Sequence, residues 1–201
     1  NKNFNNINFL KVKEVSVKGL DNKNNFQLKN DISFLSLENI LFLNEKKIKE
    51  IIETNNLVEN YKVYKRYPSK LDITIHKTNF LAKLKKNNTD YILGSNRKLI
   101  ETNKKETRLP FIFGDFNVEQ FFELKKAIDE TNFDYYQIKD LYFYKSGRWD
   151  IKTHEGLLIK LPKENLKDSI ELFLIFLIEN NDKKINRIDL RQQNQIISNG
   201  W

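Results

Sequence analysis

The chain has 201 residues, 39% of them hydrophobic, with 15 Phe and 8 Tyr against 6 Gly and 3 Pro, which excludes a disordered or low-complexity protein and supplies one sizeable core or two small ones. Its formal charge of +8 comes from Lys scattered among acids, with Arg only at Arg66, Arg97, Arg108, Arg148, Arg187 and Arg191, so no clustered guanidinium patch marks a nucleic-acid binder. The absence of Cys removes disulfides, thiolate metal sites and cysteine nucleophiles.

Leu10–Lys18 alternates, with Val15 and Val17 on one face and Gly19 at its end, and predicts a strand. Asn30–Leu37 predicts a short helix capped by Asn30 or Asp31, followed by an apolar linker, Ile40–Leu43, that packs inward. Asn44 caps a clearer helix in which Ile48, Ile51 and Ile52 recur at helical spacing. Two strands follow, Leu57–Arg66 and Leu71–Lys77, joined by a Tyr67-Pro68-Ser69-Lys70 turn; Leu71, Ile73 and Ile75 share a side. The order strand, helix, helix, strand, strand predicts a three-stranded sheet with both helices on one face.

Beyond residue 78 the pattern becomes one of hairpins. Phe80–Leu84, Asp90–Leu93 and Lys98–Ile100 are separated by polar turns. Asn117 caps a helix carrying Val118, Phe121, Phe122, Leu124 and Ile128. Strands are predicted at Ile138–Tyr144, Arg148–Lys152 and Leu157–Leu161, and Pro162 leads into a helix near Glu164–Glu179. The apolar run Ile170–Ile178 is far shorter than the roughly 20 residues a membrane span needs, and predicts a packed helix with Leu166, Ile170, Phe173 and Leu177 as its inner stripe. The last stretch, Arg187–Ile197, begins as a half-buried strand with Ile188 and Leu190 on one side and Asp189, Arg191 and Gln193 on the other. A strand closing a chain can form a sheet edge, whose unpaired backbone groups are either protected or used to capture a foreign strand.

The first half resembles the POTRA module of the FtsQ/DivIB division proteins through Val12–Gly19, the helix capped by Asn44 and Arg66–Ile75. Leu109-Pro110, Ser146–Ile151, Gly156–Pro162 and Arg187–Arg191 extend the resemblance, in the family's order, over roughly residues 9 to 201. The fold it implies is α+β: a POTRA module (strand, helix, helix, strand, strand) followed by a mixed β domain of antiparallel hairpins with two flanking helices. Residues 1–8 are then a juxtamembrane segment, 9–77 the POTRA domain and 78–201 the C-terminal β domain.

The resemblance also implies a periplasmic fragment of a single-pass inner-membrane protein whose one N-terminal transmembrane helix lies outside this sequence. Its role is a divisome scaffold that binds FtsB/FtsL-type partners by strand addition at the C-terminal edge, with the POTRA module as a second docking surface for other division proteins. The expected partner-binding residues are Arg148, Asp189, Arg191, Gln192, Gln193, Asn194, Gln195, Ile196, Ile197 and Trp201, the backbone from Arg191 to Ile197 holding the partner strand. Many relatives place an aromatic residue where this chain has Gln192, and a small or Gly-containing turn where it has Asn194-Gln195, so an aromatic anchor is missing. The alternative is a POTRA-containing component of outer-membrane biogenesis or secretion, which tandem POTRA repeats or a following barrel would mark.

No catalytic constellation is legible. His76 and His154 fall in different predicted domains, one at a strand end and one in a turn, with neither metal-ligand spacing nor a neighbouring nucleophile. Asp72, Asp150 and Asp189 read as strand carboxylates on exposed faces, and none of the isolated glycines opens a phosphate loop. No cofactor, metal or nucleic acid is expected. Trp149, in a strand beside the Ser146-Gly147 turn, reads as a core anchor.

Overall fold

The computed structural model describes residues 10–103, 108–180, 184–192 and 195–200. By contacts the chain forms two compact units, Asn1–Phe80 with Gly94–Ile100, and Leu81–Leu93 with Glu101–Trp201.

The first unit opens with β1 (Glu14–Lys18), α1 (Asn22–Asp31), a 3-10 turn at Ser33–Leu37, a second at Ile40–Phe42, and α2 (Glu45–Thr54). β2 (Val58–Arg66) and β3 (Lys70–Lys77) complete a sheet of order β1-β3-β2, with β3 parallel to β1 and antiparallel to β2. Leu71, Ile73 and Ile75 of β3 are buried on one face, under Leu28, Ile32, Leu35, Ile48 and Ile52. Asn44 accepts from the Lys47 amide and so caps α2 as expected. Gly19 is a backbone requirement: its φ is +116, and a Cβ there would lie 1.8 Å from the Ile75 carbonyl oxygen.

Two first-half expectations change. The predicted helix at Asn30–Leu37 is a 3-10 turn preceded by a full helix, α1, capped by Asp21, whose carboxylate accepts from the Asn24 amide. Within α1 only Leu28 is buried, so its ten residues carry almost no apolar period. In the apolar linker Ile40 and Leu43 pack inward, but Leu41 and Phe42 are exposed.

The large sheet has nine strands: β4 (Phe80–Lys86), β5 (Thr89–Gly94), β6 (Leu99–Glu101), β7 (Phe111–Phe113), β8 (Ile138–Phe143), β9 (Trp149–Thr153), β10 (Leu158–Lys160), β11 (Ile185–Asp189) and β12 (Ile197–Gly200). Their order is β12-β11-β10-β9-β8-β7-β4-β5-β6. β7, three residues after Pro110, was not anticipated; it lies between β4 and β8, parallel to both. Antiparallel hairpins are thus joined by parallel pairings. The two helices are the crossovers these need: α3 (Val118–Asp129) carries the chain from β7 to β8, and α4 (Leu166–Glu179) from β10 to the parallel β11.

Register places Leu84, Ile112, Leu141, Ile151, Ile159 and Ile188 in one cross-strand row, every member buried. Phe121, Leu124 and Ile128 of α3 and Ile170 and Phe173 of α4 are buried as well, and Trp149 joins this core at 2% exposure. Leu166 and Leu177 of the expected α4 stripe are half-buried. Each such side chain contributes about 1.5–3 kcal/mol on burial. Ile159→Ala, at the centre of the row, is expected to lower unfolding free energy by about 2–5 kcal/mol in urea titrations without loss of secondary structure.

Candidate functional site

The face of the large sheet carrying Asp150 and Asp189 is polar. Successive residues of a strand point to opposite faces, so the residues beside the buried isoleucine row form their own row: Phe113, Tyr142, Asp150, Lys160, Asp189 and Ile197, from β7 to β12. Lys160 therefore stands between two carboxylates. Arg148 and Arg191, two residues from Asp150 and Asp189 respectively, add guanidinium groups on the same face.

Asp150 overturns the expectation of an exposed strand carboxylate, being 1% exposed. Burial pushes its carboxyl above the ordinary range, opposed by the neighbouring Tyr144 hydroxyl and by the Arg148 charge. Arg148 lies over the Tyr144 ring, 4.3 Å from its centre, and its Nε is 3.7 Å from Asp150 Oδ1. That separation is too long for a hydrogen bond, so both atoms are buried without one. Asp189 is the opposite case. Arg191 Nε donates to its Oδ1 at 2.7 Å, Nη2 donates to Oδ2, and the Arg191 amide donates at 3.1 Å, which holds the carboxyl below its usual range.

The chain end departs from expectation. Arg187–Ile197 is not one strand: β11 ends at Asp189, residues 190–192 leave it, and β12 returns antiparallel, pairing Asp189 with Ile197, Ile188 with Ser198 and Arg187 with Asn199. The backbone of Arg191, Gln192, Gln195 and Ile196 is thus outside any strand. The β11 edge is covered by the molecule's own backbone, and β12 becomes the outermost strand. Gln193, Asn194 and Trp201 lie outside the described residues. Arg191, Gln192, Gln195 and Ile197 are exposed and Ile196 is half-buried.

The free side of β12 follows from alternation. The Leu190 amide donates to the Lys160 carbonyl, toward β10, so Asp189 and Arg187 turn their backbone groups toward β12. Their partners Ile197 and Asn199 point back to β11. Ser198 between them directs its N–H and C=O outward.

The structure brings Arg148, Asp189 and Arg191 onto one face with Tyr144, Asp150 and Lys160. The i, i+2 spacing of Arg148 with Asp150 and of Asp189 with Arg191 was visible in sequence; the neighbourhood of the two pairs required the β9-β10-β11 register. Among the described residues no cluster of three or more His, Asp or Glu side chains could hold a metal, and no helix is long and apolar enough to cross a membrane.

The two carboxyls should pull stability in opposite directions. Asp150, with its pKa raised by folding, takes up a proton in the folded state first, so its contribution appears as pH falls through the raised value and is complete below 3.8. Asp189, with its pKa lowered, stabilises above the ordinary value, and that contribution is lost as pH falls through the depressed one. Urea titrations across pH 2 to 7 check this, on the order of the carboxylate range. D150N is expected to remove a gain on acidification, and D189N to remove part of the acid-induced loss.

The family comparisons agree with this architecture. The model described as POTRA domain, FtsQ-type, matches residues 10–77, and that described as cell division protein FtsQ/DivIB, C-terminal, matches residues 82–191, more than half of the chain. No curated protein sequence matches the chain. Among solved structures, the major extracytoplasmic domain of the bacterial cell division protein DivIB from Geobacillus stearothermophilus aligns with 53% of this chain and 96% of its own at 10% identity, with a TM-score of 0.38, a likeness too distant to add to the family matches. The chain belongs to the FtsQ/DivIB family of cell-division proteins, joining an FtsQ-type POTRA module to the family's C-terminal domain.

Proposed function

We propose that this chain is the periplasmic part of an inner-membrane divisome scaffold and that it holds an FtsB/FtsL-type partner by strand addition at β12. Residues 1–8 would lead from the membrane, 9–77 form the POTRA module and 78–201 the partner-binding domain. The observation that carries the reading is the outward backbone of Ser198 on a terminal strand, Ile197–Gly200, that contains no charge and no proline.

Two other edges, β2 and β6, are defended by comparison. β2 carries Lys62, Lys65 and Arg66 along its length, charges that discourage strand pairing. β6 has three residues, and its Leu99 carbonyl accepts from Asn56 Nδ2 at 2.9 Å. Main-chain pairing at β12 supplies affinity, while Arg148, Asp189 and Arg191 on the flanking face set register and reject mismatched charges. Exposed Phe26, Phe42, Tyr64 and Tyr67 give the POTRA module apolar surface for a second partner.

Ser198→Pro removes an outward donor while leaving the Ile197 and Asn199 bonds to β11 in place. Binding of the periplasmic segment of the cognate FtsB-type protein, measured by biolayer interferometry, is expected to weaken by about tenfold to a hundredfold, with circular dichroism unchanged. Gln195→Pro, outside β12, is expected to bind as the unaltered chain does. Undiminished binding by Ser198→Pro would overturn the reading.

A further inference from the structure

We propose that the open face of the large sheet is a second, independent docking surface, and that its occupant is an acidic, extended polypeptide segment with apolar side chains. Four rings share this face: Phe111, Phe113, Tyr142 and Tyr144. Phe113 and Tyr144 are 43% and 39% exposed, which is unusual for rings at the middle of a wide sheet. Phe113 stacks on Tyr142 with ring centres 5.0 Å apart, and Phe111 touches Phe113 at 4.6 Å. Beside them Tyr142, Tyr144, Lys152, Gly156 and Leu158 line a depression of about 370 Å³, enough for one or two apolar side chains.

Charge selects the occupant. Two of the carboxylates on the face lie against a guanidinium of their own strand segment: Asp150 is 3.7 Å from Arg148 Nε, and Asp189 accepts from Arg191. Lys83, Lys152 and Arg187 have no carboxylate within ion-pair distance among the described residues, and all three fall in a single cross-strand row, Lys83, Phe111, Asp140, Lys152, Leu158, Arg187. With strands about 4.8 Å apart, Lys83 and Arg187 stand about 24 Å from one another, with Lys152 some 14 Å along. An extended chain advancing about 3.3 Å per residue, with alternate side chains on one face, meets them with acids at positions i, i+4 and i+8. The residues between reach the rings and the depression. A nucleic acid fits less well, since the Phe113 and Tyr142 faces are already stacked on each other and are not free to stack on bases.

This surface does not depend on β12. The test uses the whole chain and a fluorescein-labelled peptide, Glu-Leu-Leu-Ser-Glu-Leu-Leu-Ser-Glu, read by anisotropy. Saturable binding below about millimolar is expected, weakened by about tenfold or more when Lys83, Lys152 and Arg187 are all changed to Glu, and weakened by molar salt. Phe113→Ser is expected to weaken it too, whereas Ser198→Pro leaves it unchanged, which separates this site from the strand-addition edge. No saturation by millimolar peptide, binding indifferent to the three reversals, or tighter binding of a single-stranded oligonucleotide to the same face would overturn the proposal.

Discussion

The parallel pairing of β10 with β11 governs the rest of the C-terminal half. Because α4 carries the chain back across the sheet before β11 begins, β11 runs alongside β10 and leaves one side uncovered. A chain ending at Asp189 would expose that side. Here the chain reverses between Asp189 and Ile197 and lays β12 along it, moving the free edge outward by one strand. The consequence is a short uncharged edge whose open hydrogen-bonding capacity centres on Ser198.

The same register sorts the chemistry of the two faces. On one, a row of isoleucines and leucines is sealed beneath α3 and α4 residues, and holds the strands in place through apolar burial. On the other, acids and bases alternate from Asp150 through Lys160 to Asp189, on the three strands inside the outermost one. Asp150 is the costly member, desolvated beside an Arg148 that approaches without bonding; Asp189 is the well-satisfied one. An unsatisfied buried pair is a place where stability has been given up for a specific arrangement.

The fold was legible in the sequence where caps and periods agreed. Asn44 and Asn117 marked α2 and α3, and the alternation of Leu71, Ile73 and Ile75 marked the central strand of the first unit. α1 escaped because Leu28 is its sole buried residue, so burial supplies no 3.6-residue signal, and Asp21 as cap was the one cue available. β7 escaped because three residues, Phe111–Phe113, are too few to alternate, and its parallel neighbours are far away in sequence. The terminal reversal escaped for a third reason: it is made without Gly or Pro, in a polar stretch that reads as a continuation of β11. Asp150 looked exposed because alternation reports the face a residue takes, and says nothing about whether Tyr144 and Arg148 close over it.

Strand addition at β12 requires that Ser198 direct its backbone outward while Ile197 and Asn199 are bonded to β11. Amide hydrogen exchange resolved to single residues tests it most directly. Slow exchange is expected at Ile197 and Asn199 and fast exchange at Ser198 in the free protein, with Ser198 becoming protected once an FtsB-type partner segment binds. A Ser198 amide already protected without a partner, or still fast with the partner bound, would contradict it.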